Sequence, residues 1–166
     1  MENTRILKRN PEPTKTISRP QPIVTQPKPQ PTPNTGVGGS SLDTMTAACA
    51  TEMMNAATSF HRLHLKVTGD GSYAAHKALN DLYDALPGHA DDLAEGYQGA
   101  SSKLLTYAEV APRKLESVAD AISYLNDMTA MVNGLQAKMP YSELVNSLDT
   151  VKDTINSARY KLTFLK

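Results

Sequence analysis

From Ser41 onward, apolar residues recur at steps of three and four and nowhere sustain the alternation of a strand. Leu42, Met45, Cys49, Met53, Ala56, Phe60, Leu63 and Val67 form a first stripe. Leu79, Leu82, Leu86, Ala90, Leu93 and Tyr97 form a second. Leu115, Val118, Ile122, Leu125, Met128, Val132 and Leu135 form a third, and Leu144, Leu148, Val151, Ile155, Ala158, Leu162 and Leu165 a fourth. This is the period of a helix with one buried face. Four such faces with no sheet to cover them must bury one another. The expected fold is therefore all-α, a four-helix bundle over residues 41–166, with its core built from aliphatic side chains.

The punctuation sharpens this expectation. Ser41 precedes the first stripe and suits an N-cap, and Gly69 follows it as a stop. Pro87 falls inside the second stripe and removes a backbone donor, which predicts a kink or short break there. Met139–Pro140 marks a sharp corner. "GDGS" makes the first connection tight, so the first two helices run antiparallel. Residues 98–114 lose the pattern, with a short helix expected around Lys103–Tyr107. Helices of roughly 22–27 residues are about 33–40 Å long, and an extended connection of roughly 17 residues can return along that length. This suits a ferritin-like bundle with one long crossover; a plain up-down bundle is the alternative.

Ahead of the bundle lies a different kind of chain. Eight of the 11 prolines fall between Pro11 and Pro33, in phrases such as "SRPQPIVTQPKPQPTPNTG". Such a segment is expected to be extended and unable to build a core. Residues 1–40 therefore read as a Pro-rich arm ending in a "GVGGSS" hinge, without the lysine or strand of a phosphate loop. Arg5, Lys8, Arg9, Lys15, Arg19 and Lys28 make the arm basic, while the rest of the chain carries 11 basic against 15 acidic residues. A basic arm on an acidic body is suited to binding another protein or DNA. The single cysteine, Cys49, excludes an internal disulfide and sits on a buried stripe. No window approaches the roughly 18 apolar residues of a membrane span. The expectation is a cytoplasmic chain, or one housed in a virus particle.

Two of the four histidines, His64 and His76, flank the glycine turn. Antiparallel helices joined so closely bring both imidazoles to one end of the bundle, where they can bind a metal. Asp91 and Glu95 are four apart and share a helix face. Yet Glu95 lies 19 residues beyond His76, about 28 Å along a helix. The four residues can form one site only between two copies related by a two-fold axis. His61 forms H-x-x-H with His64 but has no third ligand nearby in sequence, and reads as a surface residue. His89 shows no partner in sequence. Met45, Met53, Met128 and Met131 read as core packing.

The stretch "HLKVTGDGSYAAHKALNDLYDALPGHADDLAE" resembles the signature region of the Dps mini-ferritins. His64, Gly69, Tyr73, His76, Asp91 and Glu95 match that signature in type and spacing, and "SARYKLTFLK" is more loosely similar to the family's last helix. The resemblance implies ferritin-like subunits that form two-fold dimers within a hollow dodecamer. It also implies ferrous iron held by His64 and His76 of one subunit and Asp91 and Glu95 of its partner, then oxidised by peroxide or oxygen. A DNA-protective role through the basic tail is implied as well. Departures accompany it. Asn80 stands where the family has an acid, with Asp81 about 100° away on the helix; these two are candidate supporting residues around the ligands. Leu65 replaces a tryptophan, and Gly96 an arginine. A second function is therefore expected beside ferroxidase: a non-catalytic structural protein of a large assembly, such as a virus particle, strapped in place by its arm.

Overall fold

The computed structural model describes residues 41–165. They form four helices: α1 Leu42–His64, α2 Ser72–Ser101, α3 Val118–Gln136 and α4 Ser142–Phe164. No strand occurs among the described residues. The arm and hinge, with Arg5, Lys8, Arg9, Lys15, Arg19 and Lys28, lie outside the described residues.

Two of the helices, α1 and α3, begin at side-chain caps that the sequence provides. The Ser41 hydroxyl accepts from the Thr44 amide at 3.2 Å and caps α1. Ser117 and Asp120 form a capping box on α3, with bonds of 3.1 Å and 2.9 Å. Asp120 also accepts from the Glu116 amide, and these backbone bonds hold its carboxyl below its usual range. α1 ends at His64, ahead of Gly69. Gly69 and Gly71 then take φ of 87° and 73°, left-handed values that glycine adopts without a Cβ penalty. α2 runs from Ser72 to Ser101 with Pro87 inside it, so the helix is not broken at the position where the sequence predicts a kink or short break. Pro87 and Gly88 are both exposed, so the ring does not disturb the core packing of α2.

The stripes meet as expected. α1 packs on α2 and α3, and α4 packs on the same two, with α1–α2 the most extensive pair. Side-chain pairs set the directions. Lys161 meets Asp81, and His89 meets Thr154, so α2 and α4 are antiparallel. Gln136 bonds Val145 and Asp149, while Asn126 bonds Arg159, so α3 and α4 are antiparallel too. Alanines 47, 50 and 57 of α1 and 75, 78, 90 and 94 of α2 are buried, which suits a close approach. Phe60, Met53, Leu79, Leu82, Leu86, Leu125, Leu148 and Ile155 fill the centre. Each such aliphatic or aromatic side chain contributes roughly 1.5–3 kcal/mol by leaving water. Cys49 is 1 % exposed, and burial, with Glu52 nearby, pushes its thiol up to about 12, so it is inert as a nucleophile.

The linker 102–117 contains no helix, in contrast to the turn expected at Lys103–Tyr107. Of its apolar residues only Leu105 is buried, while Leu104 and Tyr107 face outward, so a helical turn would have a single buried side chain to stand on. Instead the linker runs beside α1. Lys103 lies 3.6 Å from Asp43 in the first turn. Asn55 donates to the Val110 carbonyl at 2.8 Å. Lys66, beyond the last turn, donates to the Leu115 carbonyl and pairs with Glu116, both at 3.0 Å. Arg113 pins the middle: it pairs with Glu52 at 3.1 Å and Asp127 at 2.6 Å, and lies 4.0 Å over the Tyr124 ring.

Candidate metal centre at the α1–α2 corner

His64 ends α1 and His76 lies in the first turns of α2, so the glycine corner folds one ring onto the other. The centroids are 3.6 Å apart and the planes 25° from parallel. Two hydrogen bonds lock the pair. His64 Nδ1 lies 3.0 Å from the His76 carbonyl, and His76 Nδ1 lies 3.3 Å from the His64 carbonyl. A carbonyl only accepts, so each Nδ1 carries the hydrogen and donates it. In a neutral imidazole this leaves the lone pair on Nε2. A ring N–H spent on a backbone carbonyl is also the commonest support for a metal-binding histidine, because it fixes tautomer and orientation. His64 is 7 % exposed, whereas His76 is exposed.

A tyrosine that the spacing argument left out completes the corner. Tyr83 stacks on His61 at 4.1 Å and meets His64 edge-on at 5.1 Å. His61, read as a surface residue, is exposed but held by this stack. The Tyr83 hydroxyl donates to Asn80 Oδ1 at 2.8 Å, and Asn80 Nδ2 donates to Asp84 at 2.7 Å. The signal for Tyr83 was present: it follows His76 by seven positions, two helical turns on one face. Asp81 turns elsewhere and pairs with Lys161 of α4 at 2.7 Å. His89 finds the partner that the sequence hid, Thr154 Oγ1 at 2.9 Å, and burial lowers its affinity for a proton.

Asp91 and Glu95 are exposed on α2, with 15 and 19 residues separating them from His76. That is about 22 and 28 Å along the helix, so one chain does not unite them with the imidazoles. Among the described residues, no three His, Cys, Asp or Glu side chains gather to hold a metal ion. The donor chemistry at the corner fits half a site: two imidazole nitrogens, with no carboxylate gathered beside them to complete a shell.

The opposite end of the bundle holds a second polar cluster of another character. There the buried Tyr97 hydroxyl donates to Asp43, and Tyr141 meets the Tyr97 ring edge-on at 6.0 Å. Burial first, and then Asp43, push the Tyr97 phenol above its ordinary range. The Tyr97 hydroxyl and the Asp43 carboxylate are spent on one another, and Lys103 lies 3.6 Å from the same carboxylate.

The fold and corner thus define a helical-bundle protein with a histidine pair at its first turn. Residues 64–162 match a family described as "Family of unknown function (DUF5856)", and the chain belongs to that family. The match opens at His64 and spans the corner, α2, the linker, α3 and nearly all of α4. No curated protein and no solved structure matches the chain. No helix among the described residues is long and apolar enough to cross a membrane.

Proposed function

We propose that the chain is a Dps-like, iron-handling subunit whose metal centre lies between two copies. His64 and His76 of one copy supply Nε2 atoms, and Asp91 and Glu95 of a two-fold-related copy supply oxygens. Ferrous iron is the substrate. Two imidazoles and two carboxylates suit it, and the carboxylates favour the ferric product through their charge. Peroxide or oxygen takes the electrons. The helix adjacency, with α2 and α3 joined by a linker running beside α1, fits the single crossover of a ferritin-like subunit. A dodecamer follows from the same resemblance. The observation that carries this reading is the reciprocal locking of the two rings, which spends both Nδ1 atoms and neither Nε2. The test is ferrous iron plus peroxide, followed by the absorbance of ferric species. Oxidation no faster than in a His64→Ala/Glu95→Ala double variant removes the proposal.

One observation favours a second reading. Asn80 takes the place of an acid and is already satisfied by Tyr83 and Asp84. A centre short of one negative charge suits a non-catalytic structural subunit of a large assembly, such as a virus particle, with the arm as its strap. A chain lacking residues 1–39 then folds but fails to join the assembly; normal incorporation removes this reading. DNA binding through the arm is the remaining possibility, and is read from salt-sensitive DNA retention that disappears with the arm.

A further inference from the structure

The last proline run of the arm carries a pattern of its own. In "QPKPQPTPN", prolines stand at 27, 29, 31 and 33, with Lys28, Gln30 and Thr32 between them. Successive residues of an extended strand turn their side chains to opposite faces and their backbone groups to opposite edges. An extended 27–33 therefore has one face of four proline rings and another of Lys, Gln and Thr. Its edges differ as well. The edge of Lys28, Gln30 and Thr32 has amides and carbonyls and can pair, whereas the proline edge has no amide. Such a strand joins one neighbour and then ends the pairing.

The body has a seat of matching chemistry. Among the described residues, no backbone–backbone hydrogen bond involves residues 103–114. The Leu105 amide is spent on Gln98, but the amides of residues 106–111 have no partner among the described residues. Beside this free edge, a groove of about 690 Å³ runs between the linker and α1. It is apolar, with Met54 43 %, Tyr107 45 % and Val110 54 % exposed. Proline-rich strands bind aromatic-lined grooves with little loss of freedom, because their rings have already restricted the chain. Residues 27–33 span about 20 Å when extended and residues 107–111 about 13 Å, so one strand covers the groove. Charge agrees: Glu109 is exposed on the groove's rim and makes no ion pair among the described residues, and Lys28 is the strand's one charge. Each chain provides one groove and one such strand, and the donor-free proline edge limits each groove to a single occupant.

We propose that residues 27–33 of one copy add as a terminal strand to the linker of a neighbouring copy, with the proline rings in the groove beside α1. This rests on the reading of the arm as a strap and names where the strap is seated. The test uses the full chain. Isotopically heavy chain with p-benzoylphenylalanine in place of Met54 is refolded with an excess of light wild-type chain and illuminated. Position 54 is expected to join to light peptides containing residues 27–33, and the same photoreactive residue in place of Ser123, exposed on α3, to join to none. Pro27→Gly/Pro29→Gly/Pro31→Gly/Pro33→Gly keeps the length and removes the rings; it is expected to lower the yield by about tenfold with an unchanged melting curve. Glu109→Lys is expected to lower it about threefold at low salt and less at high salt. The amides of residues 106–111 are expected to exchange about tenfold more slowly in the wild type than in the glycine variant. Crosslinks confined to heavy peptides, equal yields at positions 54 and 123, a yield undiminished by the glycines, or equal exchange in both chains overturns the proposal. The strap reading fails separately: if a chain lacking residues 1–39 fails to assemble while position 54 captures no arm peptide, the strap stands and this seat falls.

Discussion

The two ends of α2 use polar groups in opposite ways. At the first end, His64 and His76 spend one nitrogen each on a carbonyl and keep the other. At the last end, Tyr97 and Asp43 spend themselves on one another, with Tyr141 against the ring and Lys103 beside the carboxylate. The same helix carries both, so helical geometry alone does not separate a site from a strut. The separation lies in the accounting of lone pairs. A pair whose hydrogen-bonding groups are spent on one another stabilises a fold, and a pair that holds one donor atom each in place without using it is prepared for a ligand.

The sharpest way to break that comparison is to divide the proposed centre between chains. His64→Ala and Glu95→Ala are each expected to lower ferrous iron oxidation by roughly 100-fold or more, since each removes a direct ligand from both sites of a dimer. Mixing the two variants through unfolding and refolding places an intact imidazole pair opposite intact carboxylates in one site of every mixed dimer. Random pairing then restores about a quarter of the wild-type rate. A centre lying within one chain regains nothing on mixing, and that outcome removes the two-fold geometry.

The other end yields a stability effect. Tyr97→Phe keeps the ring and deletes its bond to the Asp43 carboxylate, and is expected to cost about 1–2 kcal/mol in urea unfolding. The alkaline limb sharpens this. Burial, followed by nearby acidic groups, raises both Tyr97 and Tyr124 above their ordinary range, so each keeps its proton in the folded state after the unfolded chain has lost it. Their contribution is complete below the unfolded value of about 10 and falls as pH rises toward the folded value. The slope is about 1.4 kcal/mol per pH unit for each tyrosine. Tyr97→Phe is expected to lower the slope between about pH 10.5 and 11.5 by about a third, because Tyr124 and the buried Cys49 thiol also keep their protons in the fold over that range. Iron oxidation at neutral pH should be unchanged, because this end is structural. A slope the same as wild type means that Tyr97 ionises freely, and the cluster is not the sealed unit described here.

How much of this was legible in the sequence depended on the kind of interaction. The four helices were, because a stripe such as Leu79, Leu82 and Leu86 has to be buried whatever covers it. The histidine corner was, because one tight turn fixes both residues locally. The continuity of α2 through Pro87 was not, because the local cost of a helical proline is offset by tertiary packing on both sides of it, by Leu82 and Leu86 before and Ala90 and Leu93 after. The length of the linker was legible too, but the absence of the short helix expected at Lys103–Tyr107 was hidden. The linker is held by Asn55, Lys66 and Glu52 of a helix distant in sequence, and a local pattern carries no record of such partners. Tyr83 was left without a role for the opposite reason: its spacing from His76 was visible, but that spacing does not show that its ring packs against His61 and His64.

The smallest effect concerns Asn80, and it separates the two functional readings. Asn80→Asp deletes the amide that donates to Asp84 and sets two carboxylates four apart on α2. Like charges at that spacing cost a few tenths of a kcal/mol, and the lost bond adds about 1 kcal/mol, so the iron-free chain should melt slightly earlier. If the corner is an iron centre short of one charge, the same change adds an anionic oxygen beside Tyr83 and His64 and tightens ferrous binding several-fold. Iron then raises the melting temperature of the variant more than that of the wild type, because stabilisation grows with the logarithm of affinity. A structural subunit shows only the first half of this pattern: a small loss of stability, the same with and without iron. Two melting curves of one variant therefore decide whether the unspent nitrogens at the first end of α2 answer to a metal.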